Sequence, residues 1–123
     1  MKRPEQVYVA TRGMGALTPA VFYILLSLAD DDKHGYAIMQ DTVKLSEGEF
    51  RMGPATLYTN IQRLLEAGII KEVSGSDSRD PDARRRYYRL TRQGRLLMEQ
   101  ELERMRKALR RAQSFSLMPK GAH

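Results

Sequence analysis

The spacing of apolar residues changes period twice along this chain, and that order restricts the available architectures more than any other feature does. Three stretches at helical spacing come first, two short runs of strand composition follow, and a long helical stretch closes the order. Thr18-Pro19 supplies an N-cap residue and a proline at the first helical position, after which Val21, Phe22, Leu25, Leu26 and Leu28 recur at helical intervals. A helix is predicted from about Pro19 to Ala29, closed by Asp30-Asp31-Asp32. His34-Gly35 then breaks the chain before a second helix with Tyr36, Met39 and Val43 on one side, ending near Leu45.

Ser46 to Gly53 reads as a loop, and Pro54 sits where a third helix can begin without needing its N–H. At about 100° per residue, Leu57, Ile61, Leu64 and Leu65 share one stripe. Ala55, Thr56, Thr59, Gln62 and Arg63 lie opposite, with Tyr58 and Asn60 on the flanks. Gly68 ends this helix in the left-handed manner, and Ile69 to Val73 follows with strand composition. Arg86 to Leu90 is a second strand, and the polar stretch Ser74 to Arg85, holding Gly75 and Pro81, makes the pair a hairpin. Thr91 caps a last helix in which Met98, Leu102, Met105, Leu109 and Ala112 alternate spacings of four and three, the pattern of a helix-pairing seam. On its surface Glu103 precedes Lys107 by four residues, a favourable order for an ion pair.

Helix, helix, helix, basic hairpin, helix is the order of a winged helix-turn-helix. The fold class expected is therefore mainly α with a small β-hairpin, carrying a C-terminal dimerisation helix. The expected divisions are an N-terminal arm at 1–16, a DNA-binding domain at 17–91, a dimerisation helix at 92–113 and a flexible tail at 114–123. With 123 residues there is no room for a cofactor domain beside a substrate domain.

Charge is distributed unevenly. Lys and Arg number 21 against 15 acids, a net of +6. Between Arg79 and Arg111 stand twelve basic residues and five acidic ones, so this third carries +7 and the remainder is slightly acidic. Such a polarised layout points to one anion-facing surface. The absence of cysteine excludes disulfides, thiol catalysis and Cys-ligated metals, and suits a cytoplasmic protein. The longest apolar run, Ala20 to Leu26, is seven residues, far short of a membrane span, and no export signal is read.

The outward residues of the third helix are the candidate base readers, because Thr56, Thr59, Gln62 and Arg63 are short or hydrogen-bonding groups that reach base edges, and Arg binds guanine bidentately, with Asn60 on the flank a further candidate DNA contact. Arg79, Arg84, Arg85 and Arg86 of the hairpin are candidate phosphate contacts that set affinity without reading sequence. Tyr58 can donate to the DNA backbone while its ring covers the core edge.

The stretches His34-Gly35-Tyr36-Ala37-Ile38, Pro54-Ala55-Thr56-Leu57-Tyr58 with Arg63-Leu64 and Ala67-Gly68-Ile69-Ile70, and Arg86-Tyr87-Tyr88-Arg89-Leu90-Thr91-Arg92-Gln93-Gly94 resemble, in order and spacing, the PadR family of bacterial transcriptional regulators. The resemblance runs from about Leu17 to Leu109 and is closest to the short-form subgroup. It implies a homodimeric winged-helix repressor that binds double-stranded DNA and pairs through its C-terminal helix. A small-molecule effector of unknown identity is also implied, although this chain has no Trp and no aromatic in its last helix before Phe115. By the same resemblance Tyr58 and its neighbours become DNA contacts and Tyr36 a supporting residue. The residues themselves read Tyr36 as core.

Enzymatic readings find no support in the sequence. His34 and His123 are the only histidines, too few for a His-based triad or a multi-histidine metal site, so neither catalytic residues nor cofactors are expected. Asp30, Asp31 and Asp32, being consecutive, do not converge on a cation and read as a solvated acidic cluster. The alternative to a DNA-binding repressor is a protein–protein adaptor built on the same winged helix, with the basic strip serving solubility.

Overall fold

The computed structural model describes residues 17–73 and 86–117. The expectations placed on the arm, on Arg79, Arg84 and Arg85, and on the last six residues lie outside that range.

Helix α1 spans Pro19–Ser27, and the Thr18 hydroxyl accepts a hydrogen bond from the Val21 amide at 3.2 Å, as the Thr-Pro start requires. Ile24, Leu25 and Leu28 are buried, with Val21, Phe22 and Leu26 packed partly against them. Strand β1 is the two-residue Lys33–His34, and α2 follows at Gly35–Leu45, capped by Nδ1 of His34, which accepts from the Ala37 amide. Helix α3 is Pro54–Glu66. It buries Leu57, Ile61 and Leu64 and turns out through Gly68 at φ 76°, a backbone state that glycine adopts without strain. Strands β2, Ile70–Val73, and β3, Tyr87–Leu90, pair antiparallel with Ile70 opposite Leu90 and Val73 opposite Tyr87.

The sheet has three strands, not the two of a simple hairpin. β1 lies on the other edge of β3, with Lys33 opposite Tyr88 and His34 opposite Tyr87, so the order is β1-β3-β2. Two residues are too few to show a period, and β1 forms because β3 would otherwise present an unpaired edge. Lys33 extends this join, its ammonium reaching the carbonyl of Ser27 and the carboxylates of Asp30 and Asp41.

Helix α4 runs from Arg92 to Ser114, slightly past the expected end at Gln113. The Thr91 hydroxyl accepts from the Gly94 amide at 3.1 Å and lies 2.7 and 2.9 Å from the carbonyl oxygens of Gly68 and Ile69, tying the helix start to the α3–β2 turn. Met98 joins the core of the domain at 5% exposure, so the exposed part of the predicted seam begins at Leu102. Every residue from Leu102 to Arg111 is exposed, and Ala112 is half-buried. The second half of α4 therefore projects from the domain. No helix among the described residues is long and apolar enough to cross a membrane.

Three expectations need correction. Tyr36 is not core but 56% exposed, and α2 buries Gly35, Ile38 and Thr42 in place of the face led by Tyr36, Met39 and Val43. The β1–β3 pairing sets the direction in which the chain enters α2, and so rotates the helix toward Ile38. Glu103 pairs with Arg106, Nε to Oε2 at 2.9 Å, and not with Lys107, because the guanidinium fork engages both carboxylate oxygens. Asp32, expected to be merely solvated, holds Arg89 bidentately at 2.9 and 2.7 Å, which removes Arg89 from the uncompensated basic set.

Candidate nucleic-acid interface

Burying Leu57, Ile61 and Leu64 commits one stripe of α3 to the core and fixes what the opposite stripe presents. Thr56, Thr59, Gln62 and Arg63 are all exposed. No carboxylate among the described residues pairs with the Arg63 guanidinium. Gln62 donates to Glu66 at 3.2 Å along the helix surface, a contact that a base edge can displace. Asn60 is placed differently. It is half-buried and its amide donates to the Thr56 carbonyl at 2.9 Å, which commits its nitrogen to the helix.

Tyr58 stands on the flank with half of its surface exposed. Its ring lies over the start of α2, where a Cβ on Gly35 would come within 2.4 Å of the phenolic oxygen and 2.9 Å of Cζ. Only glycine at 35 allows that approach.

The root of the wing stands beside this flank. Arg86, exposed just before β3, has Glu72 at 3.8 Å from its Nε, a loose pairing on the surface. Between the wing root and α2 lies a cavity of about 340 Å³ lined by His34, Gly35, Tyr36, Tyr58, Arg86 and Tyr88. Burial raises the Tyr88 phenol above its ordinary pKa, the nearby Glu72 carboxylate adds to this, and Arg86 opposes it. Helix α3 and the wing root thus bring Thr56, Tyr58, Thr59, Gln62, Arg63 and Arg86 into one region, while Leu102, Met105, Leu109 and Ala112 lie apart on α4. Sequence reasoning missed Tyr88 and Gly35. The strand alternation of β3, which turns Tyr88 inward between the outward Tyr87 and Arg89, was the signal for the first. No group of three or more metal-ligating side chains forms among the described residues.

The transcriptional regulator PadR-like family matches residues 24–100, from the end of α1 through α2, α3 and the sheet to the first turns of α4. This chain belongs to that family. An uncharacterized protein from Lysinibacillus sphaericus is 31% identical to it over 77 residues, covering 63% of this chain and 69% of its own length. The PadR-like fold recurs in a transcriptional regulator from Clostridium thermocellum at 27% identity and TM-score 0.63, covering 78% of this chain and 88% of that one. It recurs again in a PadR family transcription regulator from Clostridium difficile at 26% identity and TM-score 0.67, covering 80% and 98%. The PadR-like chain is thus a winged-helix transcription regulator.

Proposed function

We propose that this PadR-like protein is a homodimeric, sequence-specific DNA-binding repressor. One observation carries the reading: the face of α3 opposite the buried Leu57–Ile61–Leu64 stripe presents Thr56, Thr59, Gln62 and Arg63 together, beside a wing rooted in Arg86. A helix so furnished enters the major groove, with Arg63 and Thr59 meeting base edges and the wing lying along the backbone. Residues 17–91 then form the DNA-binding unit, and 92–113 the dimerisation helix that spaces two such units one helical turn or so apart. Arg79, Arg84 and Arg85 extend the phosphate contacts of Arg86. Repression follows from occupancy of a promoter.

The test is a selection from random oligonucleotides with wild type, Thr59→Ala and Arg63→Ala. Wild type should recover a two-fold symmetric site, and each variant should relax the preference at particular base pairs by ~1–3 kcal/mol where a bidentate contact is lost. Three identical preferences would show that this face of α3 does not read sequence. No saturable gel shift of any genomic fragment at low salt would favour the adaptor reading.

A further inference from the structure

We infer that the cavity between the start of α2 and the wing root seats one backbone phosphate of DNA, with Tyr88 donating from its floor and Gly35 leaving room for Tyr58 to close over it. This rests on the DNA-binding reading above and adds residues on a second element to it.

Tyr88 is the first ground. It is 4% exposed and lines the cavity, yet none of the described residues hydrogen-bonds its hydroxyl. Among the described residues no fully buried side-chain polar atom lacks a partner, so the Tyr88 oxygen is the end that opens into the cavity. A phenol oxygen that opens into the cavity in this way is free to donate to an acceptor that occupies it. The second ground is the lining itself. Three phenols and the Arg86 guanidinium converge there, and among the described residues no carboxylate lines the wall, the nearest being Glu72 opposite Tyr88 across the β2–β3 ladder. The amides of the first turn of α2 have no intrahelical acceptor, and His34 takes that of Ala37, which leaves those of Gly35 and Tyr36 at the positive end of an eleven-residue helix. A donor-rich wall at a helix N-terminus selects an anion with several acceptor oxygens, and a phosphate has them.

The third ground is place. Tyr58 belongs to both the cavity and the flank of α3, so a duplex held against the outward face of α3 carries its sugar–phosphate backbone across the cavity mouth. A free phosphorylated small molecule offers the same chemistry, but that shared side chain favours the phosphodiester. Glu72 sits outside the wall and engages Arg86 loosely, so Arg86 must leave it to reach the phosphate.

The experiment uses the full chain and the duplex that wild type selects, with each phosphate in turn replaced by an uncharged methylphosphonate. One position per half-site should weaken wild-type binding about tenfold, the loss expected for a hydrogen bond to a charged oxygen. Tyr88→Phe should bind the unmodified duplex about tenfold more weakly and be indifferent to that same replacement. Gly35→Ala and Tyr58→Phe should each weaken binding, and the double variant should lose no more than the worse single one, since Gly35 acts through the position of Tyr58. Glu72→Gln should tighten binding a few-fold by releasing Arg86. Tyr88→Phe removes only an unpartnered hydroxyl and should melt no lower than wild type, so its loss of binding cannot be put down to misfolding.

A wild type that selects a sequence while Tyr88→Phe keeps full affinity and every phosphate sensitivity would overturn the seat and leave the DNA reading intact. If wild type binds no duplex, both fall. A separate arm titrates inorganic phosphate while following the Gly35 and Tyr36 amide resonances. A saturable shift at these amides, lost in Tyr88→Phe, combined with an affinity for duplex that Tyr88→Phe does not change, would assign the cavity to a free anion and overturn the phosphodiester assignment.

Discussion

Replacing Leu102 and Leu109 together with Glu should convert a dimer into monomers. Leu102, Met105 and Leu109 remain 45%, 39% and 48% exposed. Together with Ala112 they fall within about 80° of arc around α4, so one flat partner covers them together. Full burial of a Leu or Met side chain contributes ~1.5–3 kcal/mol, so covering the remaining half yields ~1 kcal/mol each, or ~6 kcal/mol from three residues on two chains. Association itself costs ~4 kcal/mol or more, which places this stripe near break-even. The dimer must then draw further on apolar surface near it, and Phe115 and Leu117, both largely exposed, are within reach of the same helix end. The double Glu variant removes four of the six contributions, ~4 kcal/mol, and sets carboxylates against an apolar seam. The dissociation constant should rise by roughly 700-fold or more, by the tenfold-per-1.4 kcal/mol rule. Sedimentation equilibrium over a concentration series decides it. Wild type should weigh twice 14.1 kDa at micromolar concentration, and the variant one chain. A wild-type monomer, or a variant dimer of unchanged affinity, would refute the assignment of this stripe.

Arg86→Ala should lower the slope of log K against log salt by about one per subunit without altering base preference, as measured by binding titrations at several salt concentrations. Glu101 is nearly buried, and its carboxylate accepts two hydrogen bonds from Arg104 at 3.0 and 2.9 Å. Arg104 holds the Glu101 carboxyl below the usual range, and the Leu17 backbone adds to this against the cost of burial. A lowered folded-state pKa stabilises the protein above the ordinary carboxylate pKa and is lost as pH falls through the lowered value. Glu101→Gln should therefore cost ~1 kcal/mol in urea unfolding at pH 7, with the difference from wild type closing under acid conditions. Asp32→Asn breaks a half-exposed bidentate pair and should cost less, ~0.5 kcal/mol in the same assay, while leaving DNA binding unchanged.

What could be read from the residues alone rests on interactions that close within a few positions. Thr18 and Thr91 cap helices because their hydroxyls meet amides three residues on, and Gly68 ends α3 because glycine enters the left-handed region without strain. The α3 stripe and its polar opposite face follow from 3.6-residue periodicity, and with them most of the candidate DNA-reading set. Even there Asn60 fell short, since its amide turns back to the Thr56 carbonyl one turn earlier, a choice that spacing does not report. The tertiary structure decided what depends on distant residues. β1 exists because β3, more than fifty positions later, offers it an edge, and that pairing turned α2 so that Ile38 went inward and Tyr36 outward. Met98 shares the a/d spacing of Leu102, and only the packing of α4 on the sheet and α1 decided that one is core and the other surface. The cavity of Gly35, Tyr58 and Tyr88 joins three elements separated by 23 and 30 residues along the chain. Nothing in the segment of any one of these residues points to the other two, and a shared space between them arises only once the sheet has set α2 against α3.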